Sequence, residues 1–423
     1  MRLGMTIRAI LAISAGLISA TAGAQLLPGS LPLPNVGETV DRVGRGLQDG
    51  LDRTSERLER RADALADLRL ARLRDLVRAH PDQLEMTDDG PAVRRQVIAI
   101  DPSPAAMETA REAGFVVVSE ERIEGLGLTT VILETPRRWS VDRALRRLRR
   151  MAPGVEFAAN HIHSPAGSAA ALAVGSAALA QGRSAGPAIG LIDGGVAEHP
   201  SLRGTVEQHG FVRGAPRPSA HGTAVASLAS GSGSVRGASP GTPLIVADIY
   251  GNDPAGGSAT ALVRALAFMI QRRVPIVALS LVGPSNPLVA RAVSLARARG
   301  MFIVAAVGND GPAAPPAYPA SYPGVIAVTA VDGRNRLLVE AGRAAHLDYA
   351  APGADMAAAA PGGGLAAVRG TSYAVPLVAG RLYRHSDSEN ALASLDAEAA
   401  ERDRRGFGRG LVCGTCRTPL PRR

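Results

Sequence analysis

The sequence predicts an α/β protein: a mostly parallel sheet with helices on both faces, preceded by a small α+β unit. Three observations predict it. From Ala188 to about Arg384, apolar runs of strand length alternate with runs of helix length, the pattern of parallel strands buried on both faces. Ahead of them, residues Gln96–Ser164 read in the order β-α-β-β-α-β. Short glycine-centred motifs fall where strands end and helices begin, which is where active residues belong in such sheets.

The chain has 423 residues, enough for more than one domain. Arg2 and Arg8 precede the apolar run Ala9–Ala20, and Ala22-Gly23-Ala24 closes it. A basic start, a short apolar middle and a small-residue site predict a signal peptide over residues 1–24, cut after Ala24. The run is too short to span a bilayer comfortably, and no other segment reads as transmembrane. Export to the periplasm or the medium is expected, with no stable membrane insertion after cleavage.

Residues 25–95 form a linker and a charged helical extension. Leu27–Gly37 is rich in Pro and Gly, and Glu38–His80 is helical in pattern. Val40, Val43, Leu47 and Leu51 recur at three- and four-residue steps, and Leu58, Leu65, Leu68 and Val77 more loosely. Gly44, Gly46 and Gly50 weaken the first half. The preferred reading is an amphipathic helix packed on its own protein; a docking helix or a short coiled coil are the alternatives.

The α+β unit spans residues 96–164. Val97–Ile100 reads as a strand, Pro104–Ala113 as a helix, Phe115–Ser119 and Thr129–Leu133 as strands around a turn at Gly125–Gly127, Ser140–Met151 as an Arg-rich helix and Val155–Ala158 as the last strand. This is the ferredoxin-like order. Residues 165–187 are rich in Ala, Gly and Ser and fit a flexible, cleavable linker, with a short helix over Ala169–Ala180 as the alternative. In residues 188–384, strands are predicted at Ala188–Ile192, Leu244–Ile249, Ile276–Ser280, Met301–Ala306 and Val325–Val331, and helices at Ala259–Arg272 and Leu288–Arg299. A tail, residues 385–423, carries the only two cysteines, Cys413 and Cys416. A local bridge fits an oxidising compartment. A redox pair lacks its usual context, and a zinc site lacks two further ligands nearby.

Composition narrows the function classes. The net charge is +9, and all 47 basic residues are Arg. The Arg clusters fall mainly in the first 150 residues and are interleaved with acids. They read as solvated helix faces rather than a nucleic-acid surface, so no nucleic-acid partner is expected. There is no specific phosphate-binding glycine loop, and His161 and His163 make no metal pattern with nearby carboxylates. No cofactor is expected.

The chemistry lies in three motifs in fixed order: Ile-Gly-Leu-Ile-Asp-Gly-Gly around Asp193, His-Gly-Thr-Ala-Val-Ala-Ser from His221, and Gly-Thr-Ser-Tyr-Ala-Val-Pro around Ser372. Peptide hydrolysis needs a nucleophile, a base to activate it, a group to orient the base and donors for the oxyanion. A serine hydroxyl becomes nucleophilic when a neutral imidazole accepts its proton, and a buried carboxylate fixes the imidazole's tautomer. Ser372 precedes the helix-like run Tyr373–Tyr383, with Pro376 in its first turn. Ala224–Ala229 continues from the His motif as a buried helix, and Asp193 ends a strand.

Together these motifs resemble the subtilisin-like serine peptidases, the subtilases, whose order is Asp, His, Ser. The resemblance covers most of Ala188–Leu382 and implies a subtilisin-like three-layer fold. It implies Ser372 as nucleophile, His221 as general base and acid, Asp193 as orienting carboxylate, and Asn309, in Gly308-Asn309-Asp310-Gly311, as side-chain oxyanion donor. Ser280–Gly283 is similar to the family's Ser-Leu-Gly-Gly strand, which pairs with substrate. Ser280, Leu281, Val282, Gly283, Ala306 and Gly308 are the implied substrate-binding residues. The α+β unit looks like the family's propeptide, an inhibitor that stays in place until cut, and self-cleavage is expected within Asn160–Pro187.

Three departures carry expectations. Gly194 stands where the family has Ser or Thr, so a hydroxyl bond to Asp193 is expected to be missing, and Gly194→Ser or Thr to leave kcat equal or higher. Val282 replaces a common Gly and Val307 a common Ala; either side chain, if it faces the cleft, would narrow it toward small or medium side chains before the scissile bond. Many relatives bind calcium through acidic loops; no dense acidic loop occurs here, and calcium stays open. The partners implied are protein or peptide substrates and the chain's own propeptide. The alternatives are an inactive subtilase-like peptide-binding protein, or an Arg-rich adaptor that acts through the N-terminal half.

Overall fold

The computed structural model describes residues 64–65, 67–166, 187–203, 206–386, 390–400 and 406–420. The expected signal peptide, the first half of the charged extension and residues 167–186 of the linker, with its alternative helix, lie outside these residues. Among the described residues, no helix is long and apolar enough to cross a membrane, and no group of three or more His, Cys, Asp or Glu could hold a metal ion.

A helix, α1 (67–79), leads into the α+β unit. Leu76 and Val77 pack inward, whereas Leu68, counted on the apolar stripe from sequence, is 54% exposed. The unit comprises β1 (Leu84–Met86), β2 (Pro91–Ile100), α2 (Pro104–Glu112), β3 (Val116–Ile123), β4 (Leu128–Glu134), α3 (Val141–Met151) and β5 (Glu156–His161). Its strands are antiparallel in the order β5-β2-β4-β3, with β1 on the first half of β2. Ser103 and Ser140 start the two helices by accepting bonds from Ala106 N–H and Arg143 N–H. Strand β2 shows the period-two alternation of a sheet with both faces covered. Val97 and Ala99 join the core under α2 and α3, and Ile98 and Ile100 point the other way.

Ser164 and Pro165 do not belong to that sheet. They form β6, which pairs antiparallel with β11 (Leu281–Val282). The large sheet is seven parallel strands in the order β14-β13-β12-β10-β7-β9-β8. The strands are β7 (Ile189–Asp193), β8 (Val206–Gly210), β9 (Leu244–Asp248), β10 (Ile276–Leu279), β12 (Phe302–Ala306), β13 (Ile326–Val331) and β14 (Tyr349–Pro352). Edge strands β8 and β14 were not foreseen. Helices α4 (Ala220–Ser230) and α7 (Val375–Arg384) cover one face, and α5 (Ala259–Gln271) and α6 (Pro287–Ala298) the other. The sheet's alternate residues divide between these two cores: Ile189 and Leu191 lie in one, Ile192 in the other. The hairpin β15 (Met356–Ala359) and β16 (Leu365–Val368) precedes α7, and α8 (Ala391–Ala400) follows it. Cys413 and Cys416 are joined as a disulfide.

Candidate active site

All three motif residues come together at the carboxyl end of the parallel sheet. The chain passes from β7 to β9 and β8 on one side and to β10 on the other, so the crevice between β7 and β10 is the topological switch point. Asp193 ends β7, and Ser280 follows β10 directly. His221 is the second residue of α4, whose first turn is fixed by Ser219: its Oγ accepts from Gly222 N–H at 2.9 Å. The approach is close. A Cβ on Gly222 would sit 2.2 Å from the Gly194 carbonyl oxygen, so only glycine lets α4 come near enough to β7.

His221 Nδ1–H donates to Asp193 Oδ1 at 2.8 Å. The same oxygen accepts Gly194 N–H at 2.7 Å. Both side chains are buried. With Nδ1 committed to the carboxylate, Nε2 is left as the basic nitrogen. Ser372 lies in a 3₁₀ turn, Thr371–Tyr373, and α7 starts at Val375 rather than at the foreseen Tyr373, with Pro376 in its first turn. Ser372 Oγ caps no helix. It and His221 Nε2 are each buried and without a hydrogen-bond partner among the described residues. In resting sites, catalytic bonds of this kind are often long and tighten with substrate. The Tyr373 ring packs 5.4 Å from the imidazole. Burial raises the Tyr373 and Tyr250 hydroxyl pKa values, and the nearby Asp193 charge adds to the shift, so both phenols stay neutral beside the carboxylate.

Asn309 follows β12. Its Oδ1 accepts Thr371 N–H at 2.9 Å, which fixes the amide so that Nδ2 is the free donor. That nitrogen is buried and has no partner among the described residues. Ser280 Oγ donates to the Ser372 carbonyl at 2.8 Å, tying β10 to the serine turn.

The implied substrate residues divide in two. Val282 and Gly283 line the cleft with Asn309. Gly308, at φ +88°, faces Val282: a Cβ there would lie 3.4 Å from Val282 Cγ1. Leu281 and Ala306 instead turn their side chains into the two cores. Val307 is buried among the core residues beneath α5 and α6 and does not face the cleft, so of the two departures only Val282 meets the condition for narrowing it. Sequence reasoning missed Asp310, Pro316 and Ala317 on the rim, although Asp310 is the neighbour of Asn309.

The Gly194 expectation holds for the carboxylate and is corrected for the substitution. Asp193 Oδ2 indeed has no partner among the described residues. However, a Cβ on Gly194 would lie 2.5 Å from Ser219 Oγ and 3.0 Å from Ser219 Cβ. The helix-capping serine fills the space that a side chain at 194 would need.

The cleft is occupied by the chain itself. Ser164 pairs with Val282, Pro165 with Leu281, and Ala166 N–H donates to the Ser280 carbonyl at 2.9 Å. On the other side, His163 N–H donates to the Gly257 carbonyl at 2.7 Å. The His163 ring is fully buried against Gly283, where a Cβ would sit 2.4 Å from its Cδ2. Burial pulls the His161 and His163 pKa values down to about 4.

The chain is similar to known proteins in sequence and in fold. The model of the subtilase family matches residues 184–385. Subtilisin BL from Lederbergia lenta is 33% identical over 204 residues, covering 46% of this chain and 74% of its own. The major intracellular serine protease of Bacillus subtilis is 30% identical over 170 residues, 38% of this chain and 53% of its own. Among solved structures, fervidolysin from Fervidobacterium pennivorans, a keratinolytic enzyme related to subtilisin, superposes with a TM-score of 0.60 at 17% identity, over 80% of this chain and 63% of its own. The epidermin leader peptide processing serine protease of Staphylococcus aureus gives 0.56 at 16%, over 75% and 98%. These two share the fold. With a parallel sheet, motif order and sequence all in common with the subtilisins, this chain belongs to the subtilase family and is a serine peptidase.

Proposed function

We propose that the protein is an exported serine endopeptidase made as a self-inhibited precursor, and that it matures by cutting the bond after Ala166. One observation carries the reading: Ser164–Ala166 lies as a strand on Leu281–Val282, with Ala166 N–H on the Ser280 carbonyl. A peptide recognised by strand addition is held by its backbone and selected by side chains in pockets. Residue Ser280 is bonded in turn to the turn bearing Ser372, which supports Ala166 as the residue whose carbonyl is attacked.

In this mechanism Ser372 Oγ attacks the carbonyl carbon while His221 Nε2 takes its proton. Asp193 Oδ1 holds Nδ1–H and stabilises the imidazolium. The carbonyl oxygen gains the negative charge and receives Asn309 Nδ2–H and, by family resemblance, the Ser372 N–H. Collapse expels the amine, which takes the proton from His221 and leaves an acyl-enzyme. Water, deprotonated by His221, then releases the acid. The chemistry as proposed draws on no cofactor.

Small residues are preferred at the position of Ala166, because Val282 closes on Gly308. Val282→Gly is expected to admit Leu or Phe there. Export is supported by the N-terminal pattern of Arg2, Arg8 and Ala9–Ala20.

The test is labelling by a fluorophosphonate probe, with N-terminal sequencing of every band. Wild type is expected to label and to show a new N-terminus at Gly167. Ser372→Ala should neither cut nor label, a loss of about 10⁶ in kcat on the scale known for subtilisin. An unlabelled, uncut wild type, unchanged by limited trypsin, would support an inactive peptide-binding relative.

A further inference from the structure

Helix α1 (67–79) reaches the loop that carries Asn309. Arg69, Leu73, Leu76 and Val77 recur at three- and four-residue steps and share its half-buried side; Leu65, itself helical, continues that side. Toward the C-terminal end, Leu76 and Val77 pack on Leu84, Val93 and Ile162 of the α+β unit. Toward the N-terminal end the contacts are with the peptidase. Leu65 Cδ1 lies 3.1 Å from where a Cβ on Gly311 would be. Arg69 Nε meets Asp310 Oδ2 at 3.0 Å, with the two side chains only 24% and 23% exposed. Asp310 is the residue after Asn309. Burial raises its carboxyl pKa, and Arg69 and Arg72 oppose that shift. A cavity of about 1040 Å³ opens between Arg69 and Leu73 on one side and Ala166, Val282, Asn309 and Pro316 on the other. The helix therefore crosses above the strand that fills the cleft.

We propose that α1 is a second inhibitory module, which docks a basic helix on the Asp310–Gly311 rim and holds the cleft shut independently of Ser164–Ala166. This rests on the reading of a self-inhibited precursor. Both modules lie on the N-terminal side of Ala166, so one cut leaves them joined as a single fragment. The partner of the rim after processing is that fragment. Two tethered contacts multiply their effect, because the second forms at the high effective concentration set by the first. A single exposed ion pair is worth about 0–1 kcal/mol; the partial burial of Leu65 and Arg69 and the tether make this one more effective. Loss of α1 contact should leave the cut itself unchanged and speed the release of activity.

The full-length precursor tests this, with cutting followed by band pattern and opening by the rate of fluorophosphonate labelling. Arg69→Glu sets a like charge against Asp310 and is expected to cut after Ala166 as wild type does, then label about tenfold faster. Arg69→Lys keeps the charge and should label near the wild-type rate. Arg78→Glu, on the exposed far end of α1, controls for a general effect on the helix and should also match wild type. Equal labelling rates for wild type and Arg69→Glu after normal cutting would overturn the role of α1 alone. A wild type that neither cuts nor labels would instead remove the precursor reading, and this inference with it.

Discussion

Along β2, neighbouring residues face two different bodies. Val97 and Ala99 close the core of the α+β unit with Met107, Leu145 and Phe157. Ile98 and Ile100, with Ile123, Leu126 and Leu128, pack instead against α5 and α6 of the peptidase. The peptidase sheet differs. Both of its faces are covered by the peptidase's own helices, α4 and α7 on one side and α5 and α6 on the other. One sheet thus completes its own core, and the other leaves an apolar face that only the peptidase covers. A large apolar face left in water is unstable or sticky, so the unit gains order by docking. Polar groups fix the register of that docking. Asn160 Oδ1 accepts Thr260 N–H at the start of α5. Asn286, which caps α6, donates to the Ala159 carbonyl at 2.8 Å.

The comparison breaks most sharply at Ile98. Ile98→Asp buries an unpaired charge at the interface, which costs several kcal/mol. The unit should lose its seat, and the precursor should be nicked by trypsin many times faster than wild type while the peptidase part stays resistant. Val97→Ala, on the opposite face, should lower the unit's own melting step instead. A tryptic pattern for Ile98→Asp equal to wild type would mean that the face is not what holds the unit.

Next in size is a change confined to the peptidase. Asn309→Ala removes the Nδ2 donor and should lower kcat about 10²–10³-fold with KM little changed. Asn309→Asp keeps the acceptor for Thr371 N–H but loses the donor, so an equal or larger fall separates the donor's work from loop anchoring. A KM effect without a kcat effect would assign Asn309 to substrate binding only.

Acid should weaken docking more than it weakens the peptidase. His163 is fully buried in the interface with its pKa lowered to about 4, burial being the main cause and the His161 charge a lesser one. Undocked, it returns to about 6.5. Docking therefore keeps its full strength above pH 6.5, because both states are then neutral. It loses strength as pH falls from 6.5 to 4, where only the undocked histidine is protonated, by on the order of 3 kcal/mol at the end of that range. Release of the cut fragment, followed by gel filtration, should increase over this window, and His163→Leu combined with His161→Leu, the other buried histidine at this interface with its pKa lowered to about 4, should flatten the dependence. A flat wild-type profile would remove the histidine from the account.

Much of this was legible in the sequence, and the failures share a cause. The motifs at Asp193, His221 and Ser372 were readable because each needs particular neighbours, such as Gly222 for close approach. The central strands were readable as unbroken apolar runs. Strand β8 was not, because Val206–Gly210 carries Glu207 and Gln208 at buried positions. Gln208 is satisfied by the Val196 backbone and Glu207 by Arg272, partners that no local pattern announces. Val282, in β11, and Val307, just beyond β12, are the same residue type, yet one faces the cleft and the other the core. Likewise, nothing near Gly194 in sequence signals that Ser219 occupies its flank.

That contact gives the smallest and most diagnostic expectation. Gly194→Ser must push Ser219 Oγ from its place, and with it the bond to Gly222 N–H that starts α4. Loss of such a cap costs about 0.5–2 kcal/mol, so the single variant should melt a few degrees lower and turn over more slowly. Gly194→Ser with Ser219→Gly clears the flank, and glycine at a cap position costs only a few tenths of a kcal/mol. The new hydroxyl then has room beside Asp193 Oδ2, the carboxylate oxygen that otherwise has no partner among the described residues. The double variant should recover the melting temperature and match or exceed wild-type kcat. If the single variant alone did so, Ser219 would not be what excludes a side chain at 194. The cap and the carboxylate partner thus compete for one small volume between β7 and α4, and this chain uses it for the cap.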